Sequence, residues 1–311
     1  MAVGKRWEAL DELRGLAILC LFIFNTFFPF KNTPWWLTHN PGTGIWPADI
    51  VAPIFLFSVG ISGMLSFQKR VQTEGNFKAT THYLKRSLML ILFGMLGEIF
   101  YFQKIFLQLG VLGSIGVSSI IALPMIMLPW KMRPAYAGLL LVLWQMMQWI
   151  GYGADLNSNG LGGIYACIAW TALIVIASFI AGIPDRNKLT GLILFTTSGI
   201  ILFRYLTFPH IPISRPLVST SFIAVSAEIV LMLLLLFHLK EQKEWRWNLL
   251  SLLGKNPLPL YMISGLIGFS SGALFGPELS LKYIIPIALL QIGASIQIAF
   301  FLEKKQWYWR L

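Results

Sequence analysis

Residues 13–30 read LRGLAILCLFIFNTFFPF, a stretch in which Arg14 is the one charged residue and Asn25 the one amide. A transmembrane helix needs about 20 predominantly apolar residues to cross roughly 30 Å of hydrocarbon. The stretch is close to that length, and a second apolar segment begins soon after it, at Trp46. It is too long for a cleaved signal peptide and lacks a small-residue cleavage site. We therefore expect it to be the first of several membrane spans.

The composition of the whole chain agrees with a membrane protein. Of its 311 residues, 56% are hydrophobic and 12% are charged, and the mean hydropathy is +0.70. Soluble domains carry about 25% charged residues, so this chain has too little charge to cover a water-exposed surface. No loop is long enough to form a separate domain. We expect a single transmembrane domain over residues 1–311.

Apolar segments recur along the chain and predict the fold class. The prediction is an all-α, polytopic transmembrane helical bundle of about ten spans with both termini in the cytoplasm. The predicted spans are Leu13–Phe30, Trp46–Phe67, Leu84–Phe102, Leu107–Leu128, Ala135–Gly151, Gly163–Ile183, Thr190–Phe208, Val218–Leu239, Pro257–Phe275 and Tyr283–Leu302.

The distribution of basic residues supports this topology. With the N-terminus inside, 19 of the 24 lysines and arginines fall on the cytoplasmic side and 5 on the other, as the positive-inside rule requires. The net charge of +11 therefore indicates a lipid bilayer, and no nucleic-acid partner is expected. Cys20 and Cys167 both lie in apolar segments without metal-ligand spacing, so we expect packed thiols and no metal site.

Ionisable groups at membrane depth are costly and are candidates for function. Arg14, Asp49, Glu98 and Glu228 belong to this group. For Glu98 and Glu228 the alternative is a structural pair with a buried donor, or a position near the interface. For Asp49 the alternative is a helix cap that satisfies early backbone donors.

Other polar residues also have two interpretations each. His39 lies in the outer loop THNPGTGIWPAD at 38–49 and either transfers a proton near neutral pH or is a solvated loop residue. Asn25 either serves a site or bonds a neighbouring helix. Lys85 and Arg86, at the inner end of the third span, are either topology anchors or ligands for phosphate groups.

Two stretches near the N-terminus resemble a known family. RWEALDELRGLAILCLFIFNTF at 6–27 resembles the first-span signature of transmembrane acyltransferases, and HNPGTGIWPADIVAPIFLFSVGISGMLSFQKR at 39–70 is similar to the heparan-alpha-glucosaminide N-acetyltransferase family. His39, Gly44 and Asp49 fall at the family's spacing, with Ile50 in place of its leucine. The chain is identified as a bacterial-type member of this family on those residues.

Weaker similarity continues along the chain, through LGVLGSIGVS at 109–118 and GKNPLPLYMISG at 254–265. Two departures stand out. Gly113 and Ser114 replace the family's Gln–Arg, which removes one expected cation, and Ser264 stands where some members carry a histidine.

The resemblance implies a reaction and a set of site residues. Acetyl-CoA is the expected co-substrate, with no metal, and the acetyl group passes to an amine or hydroxyl of a sugar or glycan acceptor on the outer side. His39 is expected to deprotonate the acceptor or to carry the acetyl group. Asn25 is expected to stabilise the oxyanion and Asp49 to orient the imidazole. The cations expected to hold the CoA phosphates are Arg14, Lys85 and Arg86.

Two other functional classes stay open on the sequence. A small-molecule or lipid-linked substrate transporter would explain the helix-breaking glycines and prolines, but we find no internal repeat. A structural membrane subunit would leave His39, Asn25 and Asp49 unexplained. N- and O-acetylation are not distinguished, the oligomeric state is open between monomer and homodimer, and the short loops favour the plasma membrane of a bacterium.

Overall fold

A computed structural model describes residues 6–102, 109–152, 161–183, 185–245 and 247–308. Within those ranges the chain has no β-strand, so the predicted all-α class is confirmed. The described α-helices are α1 Glu8–Phe27, α2 Val51–Glu74, α3 Asn76–Phe102, α4 Gly110–Met127, α5 Arg133–Trp149, α6 Cys167–Ala181, α7 Leu189–Thr207, α8 Thr220–Gln242, α9 Asn248–Lys255, α10 Pro257–Phe275 and α11 Leu281–Lys304.

Each of the ten predicted spans overlaps one of these helices, and α9 is an additional helix in what the sequence predicted to be a loop. In the described parts of the chain, six helical segments are long and apolar enough to cross a membrane: Pro47–Glu74, Gly110–Met127, Arg186–Thr207, Thr220–Gln242, Pro257–Phe275 and Leu281–Lys304.

The other four predicted spans differ from these six in charge or in length. Helices α1 and α3 carry more charged side chains, whereas α5 and α6 have 17 and 15 residues. The total of about ten spans therefore stays a prediction. The two termini, residues 1–5 and 309–311, and the first two residues of the fourth predicted span, 107 and 108, lie outside the described residues, so the cytoplasmic termini also stay a prediction.

Packing divides the chain into two compact units, and the single-domain interpretation stays a prediction. The first unit contains Met1–Asn40, Trp46–Ile54 and Leu233–Leu311, and the second contains Pro41–Ile45 and Phe55–Met232.

In the first unit, α1 packs against α9, α10 and α11. Glycines allow α1 and α9 to approach closely, because a Cβ atom on Gly15 would overlap the Leu250 carbonyl and one on Gly254 would overlap the Asp11 carbonyl. Towards the C-terminal end of α1, a buried apolar cluster joins the helix to the following loop and to α11; it contains Phe27, Phe30, Leu37, Ile284 and Ala288.

The second unit is built around α6. All but one of the 15 residues of this helix are buried, as expected for a helix that is apolar all round. It contacts α4 and α5, and the backbone of α2 approaches it at Gly60, where a Cβ atom would lie 2.7 Å from Ala177 Cβ. The buried Arg133 guanidinium donates to the carbonyls of Ser178 and Ile126 at 2.8 and 2.7 Å, which stabilises the C-terminal ends of α6 and α4.

Candidate active site

The first unit brings His39 and Asp49 together. Nδ1 of His39 lies 3.0 Å from Oδ1 of Asp49. The carboxylate is buried, whereas 36% of the histidine side chain is exposed. Asp49 also accepts the backbone N–H of Trp46 at 2.8 Å and that of Asn40 at 3.3 Å. These contacts fix the carboxylate from behind and leave the far side of the imidazole accessible.

Local sequence explains why Asp49 lies here. Pro47 begins a 3-10 turn that ends at Ile50 and leads directly into α2. A proline is favoured at the first position of such a turn, because the N–H it lacks would be unpaired there. Asp49 is the third residue of the turn, so its carboxylate reaches back to the N–H of Trp46, in the manner of the acidic residue of a capping box. In this orientation Oδ2 accepts from Trp46 and Oδ1 lies beside His39.

The loop that carries His39 is anchored on its other side. Trp35, Trp36 and Leu37 form a short 3-10 turn, and Leu37 is buried in the apolar cluster. The ring of Trp35 contacts that of Trp46 edge-on, with 5.3 Å between centroids. The contact between Trp35 and Trp46 therefore links the segment before His39 to the segment after it.

Asn25 lies on α1, one turn before Phe28, whose ring is 6.4 Å from that of His39. Phe28 directly follows the last residue of α1 and keeps a helical backbone conformation, and residues three apart share a helix face, so Asn25 and Phe28 lie on the same side of the chain. Nδ2 of Asn25 donates to Oγ of Ser264 at 3.0 Å. Within the described part of the chain, the second N–H and the carbonyl oxygen of this amide have no hydrogen-bond partner, so both are available to a substrate.

The pairing of His39 with Asp49 has a chemical consequence. An ionised carboxylate only accepts hydrogen bonds, so Nδ1 is the ring nitrogen that carries the proton. Nε2 is then the ring nitrogen without a proton, and it can act as a proton acceptor. This is the arrangement of a general base held in one tautomer by a carboxylate.

Of the cations predicted to bind phosphate, Arg14 belongs to the first unit. Its Nη1 lies 3.3 Å from Oδ1 of the buried Asp11, and Arg6 pairs with the same carboxylate. The charge of Arg14 is therefore shared with an acid on its own helix.

Lys85 and Arg86 belong to the second unit and differ in surroundings. The side chain of Lys85 is exposed and that of Arg86 is half-buried. Arg86 points towards α2, because a Cβ atom on Gly63 would lie 3.7 Å from its Nη1 and 3.1 Å from Cε2 of Tyr83.

Nε of Arg86 is buried without a hydrogen-bond partner, and no described carboxylate forms an ion pair with it. Nearby, partial burial, together with the charges of Arg70 and Arg86, lowers the pKa of His82. The surroundings of Arg86 are therefore cationic and suited to an anion.

The two acids with structural alternatives lie in the second unit. Glu228 Oε1 accepts from Nε of Arg204 at 3.3 Å, which joins α8 to α7. Glu98 on α3 packs against Gly110, the first residue of α4, where the positive end of the helix dipole favours an acid. For both acids, these contacts are those expected of the structural alternative.

One buried ion pair was not anticipated from the sequence. Glu12 Oε2 lies 2.7 Å from Lys240 Nζ, with both side chains almost fully buried, and Glu12 also accepts the N–H of Trp247. No sequence signal identifies it, because 228 positions separate the two residues.

Among the described residues no group of three or more His, Cys, Asp or Glu side chains is placed to hold a metal ion, and both cysteines are free thiols.

Comparison with curated proteins gives no match. Comparison with protein families gives a match over residues 6–266 to the catalytic region of heparan-alpha-glucosaminide N-acetyltransferase. The matched range contains all six predicted site residues and most of the described helices. With six helices able to cross a membrane, the chain is an integral membrane protein, and it belongs to the heparan-alpha-glucosaminide N-acetyltransferase catalytic family.

Proposed function

We propose that this protein transfers an acetyl group from cytoplasmic acetyl-CoA to an amine or hydroxyl of a sugar-type acceptor on the outer side of the membrane. The observation that carries the proposal is the hydrogen bond between His39 and Asp49. This bond makes Nε2 of the partly exposed imidazole the ring nitrogen that can act as a base. The family to which the chain belongs uses acetyl-CoA as its acetyl donor.

In the proposed reaction, Nε2 of His39 removes a proton from the acceptor nitrogen or oxygen as that atom bonds to the acetyl carbonyl carbon. The carbonyl oxygen becomes an oxyanion, and the second N–H of Asn25 donates to it. The carbon–sulfur bond then breaks, and His39 returns the proton to the departing CoA sulfur. Asp49 stays a hydrogen-bond acceptor throughout and holds the ring in the required tautomer.

We also propose that Arg86 binds a phosphate of CoA. A buried guanidinium nitrogen without an acceptor is unfavourable, and a phosphate oxygen would satisfy it and neutralise the charge. Lys85 would contribute from the exposed side of the same helix turn. Arg14 would be a weaker ligand, because Asp11 already shares its charge.

Binding and chemistry can be tested separately in purified, detergent-solubilised protein. Ligand binding raises the thermal midpoint by mass action, so we expect acetyl-CoA to stabilise the wild type. His39→Ala should keep this shift and lose acetyl transfer to glucosamine, measured as CoA thiol release. Arg86→Ala should reduce the shift.

Matched controls are available in the chain. His210→Ala alters an exposed histidine and Lys188→Ala an exposed cation; neither should change binding or transfer. A folded His39→Ala variant with wild-type transfer would overturn the role of the histidine. Protein in vesicles that moves glucosamine without releasing CoA would overturn the enzyme proposal in favour of a transporter.

A further inference from the structure

Ser264 is held between two successive turns of α1. Its Oγ accepts from Nδ2 of Asn25 at 3.0 Å and donates to the carbonyl of Leu21 at 3.3 Å. Leu21 and Asn25 are four residues apart and lie on the same helix face. The serine is almost fully buried, with 1% of its surface exposed.

The two bonds together fix the orientation of the Asn25 amide. A serine hydroxyl has one proton, and here that proton is given to Leu21. The oxygen can then only accept, so Asn25 must present its nitrogen to α10 and its carbonyl oxygen away from it. Because the amide is planar, the direction of the second N–H is fixed as well.

The backbone around this contact is closely packed. A Cβ atom on Gly268, one turn after Ser264, would lie 2.6 Å from the backbone carbonyl oxygen of Asn25. The hydroxyl oxygen of Thr26, the next residue of α1, lies 2.7 Å from Oε1 of Gln291 on α11 and 2.7 Å from the carbonyl oxygen of Phe22. The helix segment that carries Asn25 therefore has little freedom to shift if the serine is altered.

We propose that Ser264 is a positioning residue, which aims the free N–H of Asn25 at the oxyanion of the transfer reaction. The inference rests on the proposed function. Without the hydroxyl the amide can rotate about its terminal bond, since its other polar atoms have no described partner. The donor would then be present but poorly aligned.

Ser264→Ala should lower kcat for acetyl transfer to glucosamine by about tenfold, a part of the ~10²–10³-fold that removal of an oxyanion donor costs. The KM for acetyl-CoA and the thermal shift that it produces should not change. Ser295→Ala is the control, because Ser295 is equally buried and, among the described residues, its hydroxyl bonds the Gln291 carbonyl of its own helix. It should leave kcat unchanged.

A double-mutant cycle separates positioning from general packing. If Ser264 acts through Asn25, Ser264→Ala should have no further effect in an Asn25→Ala background, because coupled residues are non-additive. Ser264→Cys, which keeps the side-chain shape but weakens the acceptor, should give an intermediate kcat and serves if the alanine variant does not fold.

The outcomes distinguish this inference from the proposed function. Equal fold losses from Ser264→Ala with and without Asn25, or a Ser264→Cys variant with wild-type kcat, would overturn the positioning role alone. A folded wild-type protein that binds no acetyl-CoA and transfers no acetyl group would overturn the proposed function, and the positioning role with it.

Discussion

Replacement of Asp49 by asparagine tests the proposed general base with the smallest change of shape. The donors to the carboxylate include the N–H groups of Trp46 and Asn40 and Nδ1 of His39. Trp46 bonds Oδ2, and Asn40 lies within 3.3 to 3.4 Å of both oxygens. An asparagine oxygen at the Oδ2 position can therefore keep both backbone bonds.

The same arrangement turns the amide nitrogen of the new residue towards His39. Two N–H donors would then face each other, and the imidazole relieves the conflict by moving its proton from Nδ1 to Nε2. Nε2 can no longer accept the acceptor's proton. Loss of the correct tautomer in a histidine–carboxylate pair lowers kcat by about 10⁴-fold in serine proteases; we expect a loss on the order of 10³–10⁴ here, equivalent to about 4–5.5 kcal/mol of barrier.

The assay is CoA thiol release with glucosamine as acceptor, compared with the thermal shift produced by acetyl-CoA. Asp49→Asn should lose turnover and keep the shift. Asp185→Asn is a matched control, because Asp185 is exposed and its carboxylate accepts the nearby N–H of Asn187. Asp49→Ala is less informative, because it removes the acceptor of two backbone N–H groups. Each unsatisfied N–H group lowers the free energy of unfolding by about 1–3 kcal/mol. An Asp49→Asn variant within threefold of wild-type kcat would refute the tautomer argument.

Two further predictions concern stability of the first unit, measured as thermal midpoints in one detergent. Gly254→Ala should lower the free energy of unfolding by about 1–3 kcal/mol through overpacking against α1, while Gly265→Ala, with open space at its Cβ position, should be neutral or stabilising; equal midpoints would contradict the close packing of α1 and α9. Lys240→Met should cost about 3–5 kcal/mol, because it leaves Glu12 buried and unpaired. Lys31→Met, which breaks a pair exposed on both sides, should cost at most about 1 kcal/mol, and a similar loss in both variants would show that burial of the first pair is unimportant.

The helices could be predicted from the sequence because each apolar segment carries its own signal. Helix α9 could not, because its eight residues are short and its stability comes from packing on α1. That packing depends on Gly15 and Gly254, which are far apart in the chain. A local pattern contains no information about such a contact.

The candidate site was only partly predictable for a similar reason. His39 and Asp49 stand out as unusual residues, but they lie in an irregular loop where no helical or strand periodicity relates them. The resemblance supplied the pair, and the turn begun by Pro47 supplies the physical reason for their contact. Ser264 was noticed as a departure from the family, whereas its bond to Asn25 depends on the relative phase of two helices.

The acids predicted as functional candidates differ most in their partners. Glu228 faces Arg204, a guanidinium that stays charged across the physiological range, which favours the structural alternative for this acid. Glu98 lies at the N-terminus of α4, and among the described residues no histidine contacts it. Among the contacts of the described residues, Asp49 is the one of these three acids that meets an imidazole, the side chain that gains and loses a proton near neutral pH. A costly acid in a membrane protein therefore indicates proton-transfer chemistry only when its partner can titrate, and on that criterion Asp49 is the acid to test first.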